Sequence, residues 1–384
     1  MGDPLDLGLE NLLEDARLAV GLADFGDPSF REGLGVLLET YEAAGLRRGG
    51  RKRTRSRLLQ LLANRLKIER AWKTHPEIRT RSLPRPVYLT GLPRTGTSTF
   101  FNLLACDRAH RPLLLWEGVC PDPVADAAPG EPDQRMQMIQ AGLDADRARN
   151  PDFDKIHFAK ADGPEECVLL LAHTFRDVQL GIEPLMQPYG EWFERQNLLA
   201  PYTYYKGLLQ MLDWQRPGER WLLKSPAHLW ALDVLVELFP DACIVQTHRD
   251  PVEVIPSYCS MMAALMTIRE HVDPRDLGPV VLEYLARSLE RGLTTRERSD
   301  AARFVDVDYR SFTAEPLREV ARIYEYYRLP FSRETESAMA EFLRANPQHK
   351  HGTHRYSLEE YGLTREAVRD RLRFYLERFG LWDA

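Results

Sequence analysis

The stretch PVYLTGLPRTGTS, residues 86–98, constrains the fold more than any other part of the chain. An apolar run ends in Gly91, a tight turn carries a second glycine at Gly96, and the helix-like sequence TFFNLLA follows at once. Glycines at this spacing let backbone N–H groups converge on one point, and the helix start behind them favours an anion there. Three further β-rich runs, RWLLK (220–224), CIVQTHR (243–249) and RFVDVDY (303–309), each precede helix-like sequence. Strands that alternate with helices predict an α/β fold: a parallel, P-loop-like sheet flanked by helices.

The rest of the chain is organised around that sheet. Residues 1–80 read as a helical N-terminal extension, with apolar spacing at Leu58, Leu61, Leu62 and Leu66. Residues 84–384 form the α/β domain, and a helical insertion of about 120–218 separates its first two β-rich runs. Tyr189, Trp192, Phe193, Tyr202, Tyr204, Tyr205 and Trp214 concentrate in this insertion, the kind of segment that supplies a lid or an acceptor pocket. Seven of the eleven residues from Arg47 to Arg57 are basic, yet no aromatics interleave them, and 51 basic against 57 acidic residues leave a net charge of −6. A solvated helix start, not a nucleic-acid surface, is the expectation. Five widely spaced cysteines form no C-x-x-C pair, which fits a reducing cytoplasm. The acidic start MGDPLDLGLE does not read as a signal peptide, Asp6 argues against myristoylation at Gly2, and no apolar stretch is long enough for a transmembrane helix.

The chemistry of the glycine loop is set by a substitution. Where a kinase or ATPase loop has a lysine for the β- and γ-phosphates, this chain has Thr97, and a different cation, Arg94, stands inside the loop. A smaller anion than a triphosphate is expected. A second anion site follows the third β-rich run. Asp250 reads as a helix N-cap and Pro251 as the first helical residue, so Arg249 projects beside a helix start, with Ser257 eight residues on. Pro256 inside that helix removes one hydrogen bond. The triplet His248-Arg249-Asp250 also matches a protein-kinase catalytic loop in part, but Ile255 occupies the place of its asparagine.

Together, P-R-T-G-T-S after the first run, K-S-P after the second and R-D-P-(x)5-S after the third resemble the sulfotransferase family, over about residues 84–360 and within the bacterial branch similar to tyrosylprotein sulfotransferases. The resemblance implies 3′-phosphoadenosine-5′-phosphosulfate (PAPS) as donor and no metal. Arg94, Thr95, Gly96, Thr97 and Ser98 would hold its 5′-phosphosulfate, and Arg249 and Ser257 its 3′-phosphate. Tyr309 is a further nucleotide contact, and Lys350 and Gly352 loosely match a late basic loop that closes over the nucleotide. Arg94 and Lys224 would stabilise the charge that builds on the leaving oxygen; arginine keeps its proton, so Arg94 acts by charge. The proton acceptor is Glu117 by likeness to the tyrosylprotein branch, with His228 as the rival and His157 a third choice. Asp162, Pro164, Glu165 and Glu166 read as a capped helix start. His349, His351 and His354 lack the helical spacing of a metal site. The expected activity is sulfuryl transfer to a hydroxyl of a small molecule or lipid. The alternatives are a P-loop kinase-like phosphotransferase and a nucleotide-binding scaffold without catalysis.

Overall fold

A computed structural model describes residues 3, 5–123, 133–149, 159–177, 187–266, 273–347 and 357–382. Five parallel strands form one sheet in the order β2-β3-β1-β4-β5, where β1 is Val87–Gly91, β2 His110–Pro112, β3 Arg220–Lys224, β4 Cys243–His248 and β5 Phe304–Asp308. Every residue of β1 and β4 is buried. Strands covered on both faces read as continuous apolar runs, which is why four of the five were visible in the sequence. The fifth, β2, is the three residues His-Arg-Pro. Among the described residues it pairs only with β3 and sits at an edge, where a proline ends the ladder without harm.

The register sets up the site. Leu89 lies level with Lys224 of β3, and Gly91 lies level with Thr247 of β4. The chain therefore leaves β1 between the carboxyl ends of two neighbours, at the crevice where open α/β sheets bind their ligands. Helix α4 is Thr97–Leu104, entered through Gly96 at φ 78°.

The N-terminal extension folds as α1 (Leu9–Val20), α2 (Phe30–Ala43) and α3 (Arg48–Thr74), which share a continuous apolar core with the insertion and the C-terminal helices. Within the basic run, Arg55 is buried against Asp15 and Arg51 pairs with Glu42, while Lys52 and Arg53 are exposed. The aromatic insertion is itself largely core: Tyr189, Phe193, Tyr202 and Tyr205 are buried, and Tyr204 packs edge-on against Trp72 of α3. These rings join extension to insertion. All five cysteines are unpaired, and no helix among the described residues is long and apolar enough to cross a membrane.

One buried histidine gives the joint a pH dependence. His173 accepts a hydrogen bond at Nε2 from Asn64 of α3 (3.0 Å) and donates from Nδ1 to the Leu170 carbonyl (3.1 Å), a network that fits the neutral ring. Burial pushes its pKa from an ordinary 6.5 down to about 4. The unfolded chain therefore binds the proton first, and the neutral ring's contribution to stability is lost as pH falls from about 6.5 to about 4. Urea midpoints at pH 7.5 and 5 should differ in this sense, and His173→Gln should shrink the difference. An unchanged pH dependence in the variant would count against this role.

Candidate active site

Two loops, one after β1 and one after β4, are tied to each other. Arg94 sits in the left-handed region at φ 64°, a conformation that costs a non-glycine residue roughly 1 kcal/mol or more. Its Nε donates to Ser257 Oγ (3.0 Å), and its carbonyl accepts from Arg249 Nη1 (3.0 Å). The Arg249 guanidinium also lies 4.2 Å from the centre of the Tyr309 ring and pairs with Glu253 at 2.6 Å. Thr95 donates to the Leu92 carbonyl (2.7 Å) and shares a 2.6 Å hydrogen bond with Thr247, fixing the turn to β4. Gly96 is required where it stands, because a Cβ there would meet the Tyr309 ring at 3.0 Å. Asp250 caps Val252 N–H (2.9 Å) and Pro251 opens the helix Pro251–Leu265, which runs on through Pro256.

Thus Arg94, Thr95, Gly96, Arg249, Ser257 and Tyr309 form one constellation. On its other side, Ser98 in the first turn of α4 accepts from Lys224 Nζ at 3.2 Å. Lys224 is 2% exposed and pairs with Glu166 at 2.6 Å. Thr97 is buried at the first position of α4. The result is a cup of N–H donors, hydroxyls and three cations at the carboxyl edge of the sheet. A helix start and convergent charge suit a phosphate or sulfate group.

The two expected proton acceptors are both buried and bonded to other side chains. Glu117, in the short helix Leu115–Val119, is 1% exposed. Its oxygens take both terminal nitrogens of Arg111 (2.7 and 2.8 Å), Arg216 Nε (3.1 Å) and the Leu114 N–H (3.1 Å). Arg111 belongs to β2 and Arg216 precedes β3, so this carboxylate binds the sheet edge together and touches neither Arg94 nor Lys224 in any of these bonds. His228 is 0% exposed, bonded at Nδ1 to the Tyr202 hydroxyl (2.9 Å) and packed edge-on against Tyr88. Burial pushes its pKa down to about 3, which leaves it neutral and poor at taking a proton. Lys350, Gly352, His157 and the three late histidines lie outside the described residues.

Glu166, Thr247 and Glu253 were not singled out as site residues by sequence. A short helix, Val168–Leu171, does start behind residues 162–166, but its N-cap is Cys167 and no side chain caps it. Residues 160–163 form a turn, after which Pro164 bridges Leu114 and the Glu165 N–H donates to the Leu113 carbonyl (2.8 Å). A cavity of about 610 Å³ opens away from the cup, between α3 and the end of the helix Leu199–Gln215; Lys67, Arg70, His75, Arg135 and Trp214 line it, with none of the cup's residues.

A model of the sulfotransferase family matches residues 86–333, more than half of the chain. The chain belongs to the sulfotransferase family. Among solved structures it is similar to sulfotransferase STF1 from Mycobacterium tuberculosis, at 35% identity, TM-score 0.84, and 95% and 98% coverage of the two chains. Sulfotransferase STF9 from Mycobacterium avium is likewise similar, at 30% identity, TM-score 0.87, and 97% and 96% coverage. The omega-hydroxy-beta-dihydromenaquinone-9 sulfotransferase Stf3 of Mycobacterium bovis is 24% identical over 293 residues, 73% of this chain and 72% of its own.

Removing Glu117 strands a buried guanidinium, so Glu117→Ala should cost about 3–5 kcal/mol of folding stability. Chemical denaturation measures it. A variant as stable as the parent but without turnover would return Glu117 to the chemistry.

Proposed function

We propose that the chain transfers the sulfuryl group of PAPS to a hydroxyl of a small-molecule or lipid acceptor by in-line displacement. The observation that carries this reading is the pair of interlocked anion sites: a loop with Arg94 in place of the usual lysine, bonded to the Arg249–Ser257 site. A nucleotide with phosphates at both 3′ and 5′ positions asks for two such sites; a triphosphate asks for one, with a lysine. PAPS supplies the sulfuryl group and leaves as adenosine 3′,5′-bisphosphate.

The protein's part is charge placement. Loop amides and Ser98 orient the 5′ group, while Arg249, Ser257 and Tyr309 take the 3′ side. Arg94 and Lys224 face the oxygen on which negative charge grows, so they stabilise the transition state more than the ground state. The hydroxylated menaquinone named for the Mycobacterium bovis relative supports an alcohol on an apolar lipid as the acceptor class. Five unpaired cysteines fit a reducing cytoplasm as the setting.

Calorimetric titration with adenosine 3′,5′-bisphosphate beside magnesium-ATP tests the donor. Tight uptake of the bisphosphate and weak uptake of ATP is the expected pattern; the reverse would sink the reading. Arg249→Ala should weaken the bisphosphate about 10- to 100-fold, the loss of a charge-assisted hydrogen bond. Arg94→Ala and Lys224→Ala should lower kcat about 100- to 1000-fold, and full turnover in Arg94→Ala would contradict its role.

A further inference from the structure

Arg249 stands one residue past the end of the sheet, and a helix from a distant part of the chain holds its backbone there. The β4–β5 pairing ends with His248 level with Asp308. The next N–H, that of Arg249, donates to the hydroxyl of Tyr375 in the helix Arg373–Phe379. The same hydroxyl lies 3.1 Å from His248 Nδ1, and on the far side of that ring Nε2 lies 2.8 Å from Asp306 of β5. Asp306 also takes both terminal nitrogens of Arg296, at 2.6 and 2.9 Å. Burial pushes the His248 pKa down, and an ionised carboxylate can only accept, so the neutral ring carries its proton on Nε2. The Tyr375 oxygen therefore donates to His248 and accepts from Arg249. Phe379, one turn further along the same helix, stacks on the imidazole at 3.7 Å and 22°.

A phenylalanine at 375 would fill the same space in the core. The hydroxyl answers a different need: without it a backbone N–H and a ring nitrogen lose their partner where both side chains, Tyr375 and His248, are buried. Both groups belong to the peptide that launches Arg249. The guanidinium of Arg249 reaches the Arg94 carbonyl, the Tyr309 ring and Glu253, but where its fork points depends on where the backbone leaves β4. An arginine recognises a phosphate through a rigid planar fork, so a displaced backbone misdirects it. We propose that Tyr375 is a positioning residue of the nucleotide site, its hydroxyl fixing the His248–Arg249 peptide so that Arg249 meets the 3′-phosphate. This rests on the donor reading above. It makes the C-terminal helix part of the apparatus that prefers a nucleotide phosphorylated at both ends to one without the 3′-phosphate.

Calorimetry with adenosine 3′,5′-bisphosphate and adenosine 5′-monophosphate reads that preference, because only the first carries the phosphate that Arg249 takes. The parent should prefer the bisphosphate. Tyr375→Phe keeps the ring and should bind the bisphosphate about 3- to 10-fold more weakly, the loss of one hydrogen bond, with the monophosphate unaffected. Made in Arg249→Ala, the same replacement should cost nothing further, since the two residues act through one contact. Phe379→Leu loosens the same helix but spares the hydroxyl; it should lower the melting temperature and leave the preference as in the parent. Unchanged bisphosphate affinity in Tyr375→Phe, an equal loss for the monophosphate, or a lost preference in Phe379→Leu overturns the assignment and leaves the donor reading intact. A parent protein that does not distinguish the two nucleotides overturns both.

Discussion

The hydrogen bond from the Arg249 guanidinium to the Arg94 carbonyl is the contact on which the site depends, because it spans the turns leaving two adjacent strands. Strand pairing alone brings Gly91 level with Thr247. It does not fix what the chain does beyond the last rung. Arg94 is held in a left-handed backbone conformation that it would not choose in isolation, and the bonds to Arg249 and Ser257 offset that strain. The two loops thereby acquire a set separation, with Arg94 and Arg249 held in place by each other's turn.

The sheet keeps this arrangement only because its helical surroundings are tied down. Arg65 of α3 is a clear instance: it donates to the carbonyls of Phe25, Asp27 and His173 and lies 4.4 Å from both the Phe30 and Tyr204 ring centres. One side chain thus satisfies three backbone acceptors and covers two aromatic rings, one in the extension and one in the insertion. A buried guanidinium is tolerable on such terms, with its donors matched and its charge against π-faces. It also shows how a helix that begins with a basic run serves folding, its charges divided between buried pairs and exposed positions.

Much of this was legible in the sequence, for identifiable reasons. Buried parallel strands announce themselves as apolar runs, and a loop that needs glycine at φ 78° must show that glycine, so β1, β3, β4, β5 and the loop at Gly96 were all foreseeable. Edge strand β2 was hidden, since two charged or polar residues and a proline carry no strand pattern. The aromatics of the insertion were foreseen as a group, but composition does not say whether a ring lines a pocket or fills a core, and Tyr189 and Tyr205 fill the core. Glu166 was beyond reach for a different cause: its contact with Lys224 joins positions 58 residues apart through the path of the insertion, which no local rule encodes.

Glu117 and Glu166 show how environment, not residue type, divides labour between carboxylates. Both sit beside cations, Glu117 in the short helix Leu115–Val119 and Glu166 just before the helix Val168–Leu171. Glu117 meets two guanidiniums and a backbone amide, with its surface almost wholly lost, so its charge is spent on matching Arg111 where water cannot. Removing that carboxylate would leave a buried guanidinium unpaired, at a cost of several kcal/mol. Glu166 meets one ammonium on a flexible stem, and a quarter of its surface is open. That lysine has a second oxygen, Ser98 Oγ, in reach. The same residue type is thus locked into the sheet edge at one position and left partly open beside the phosphate loop at the other.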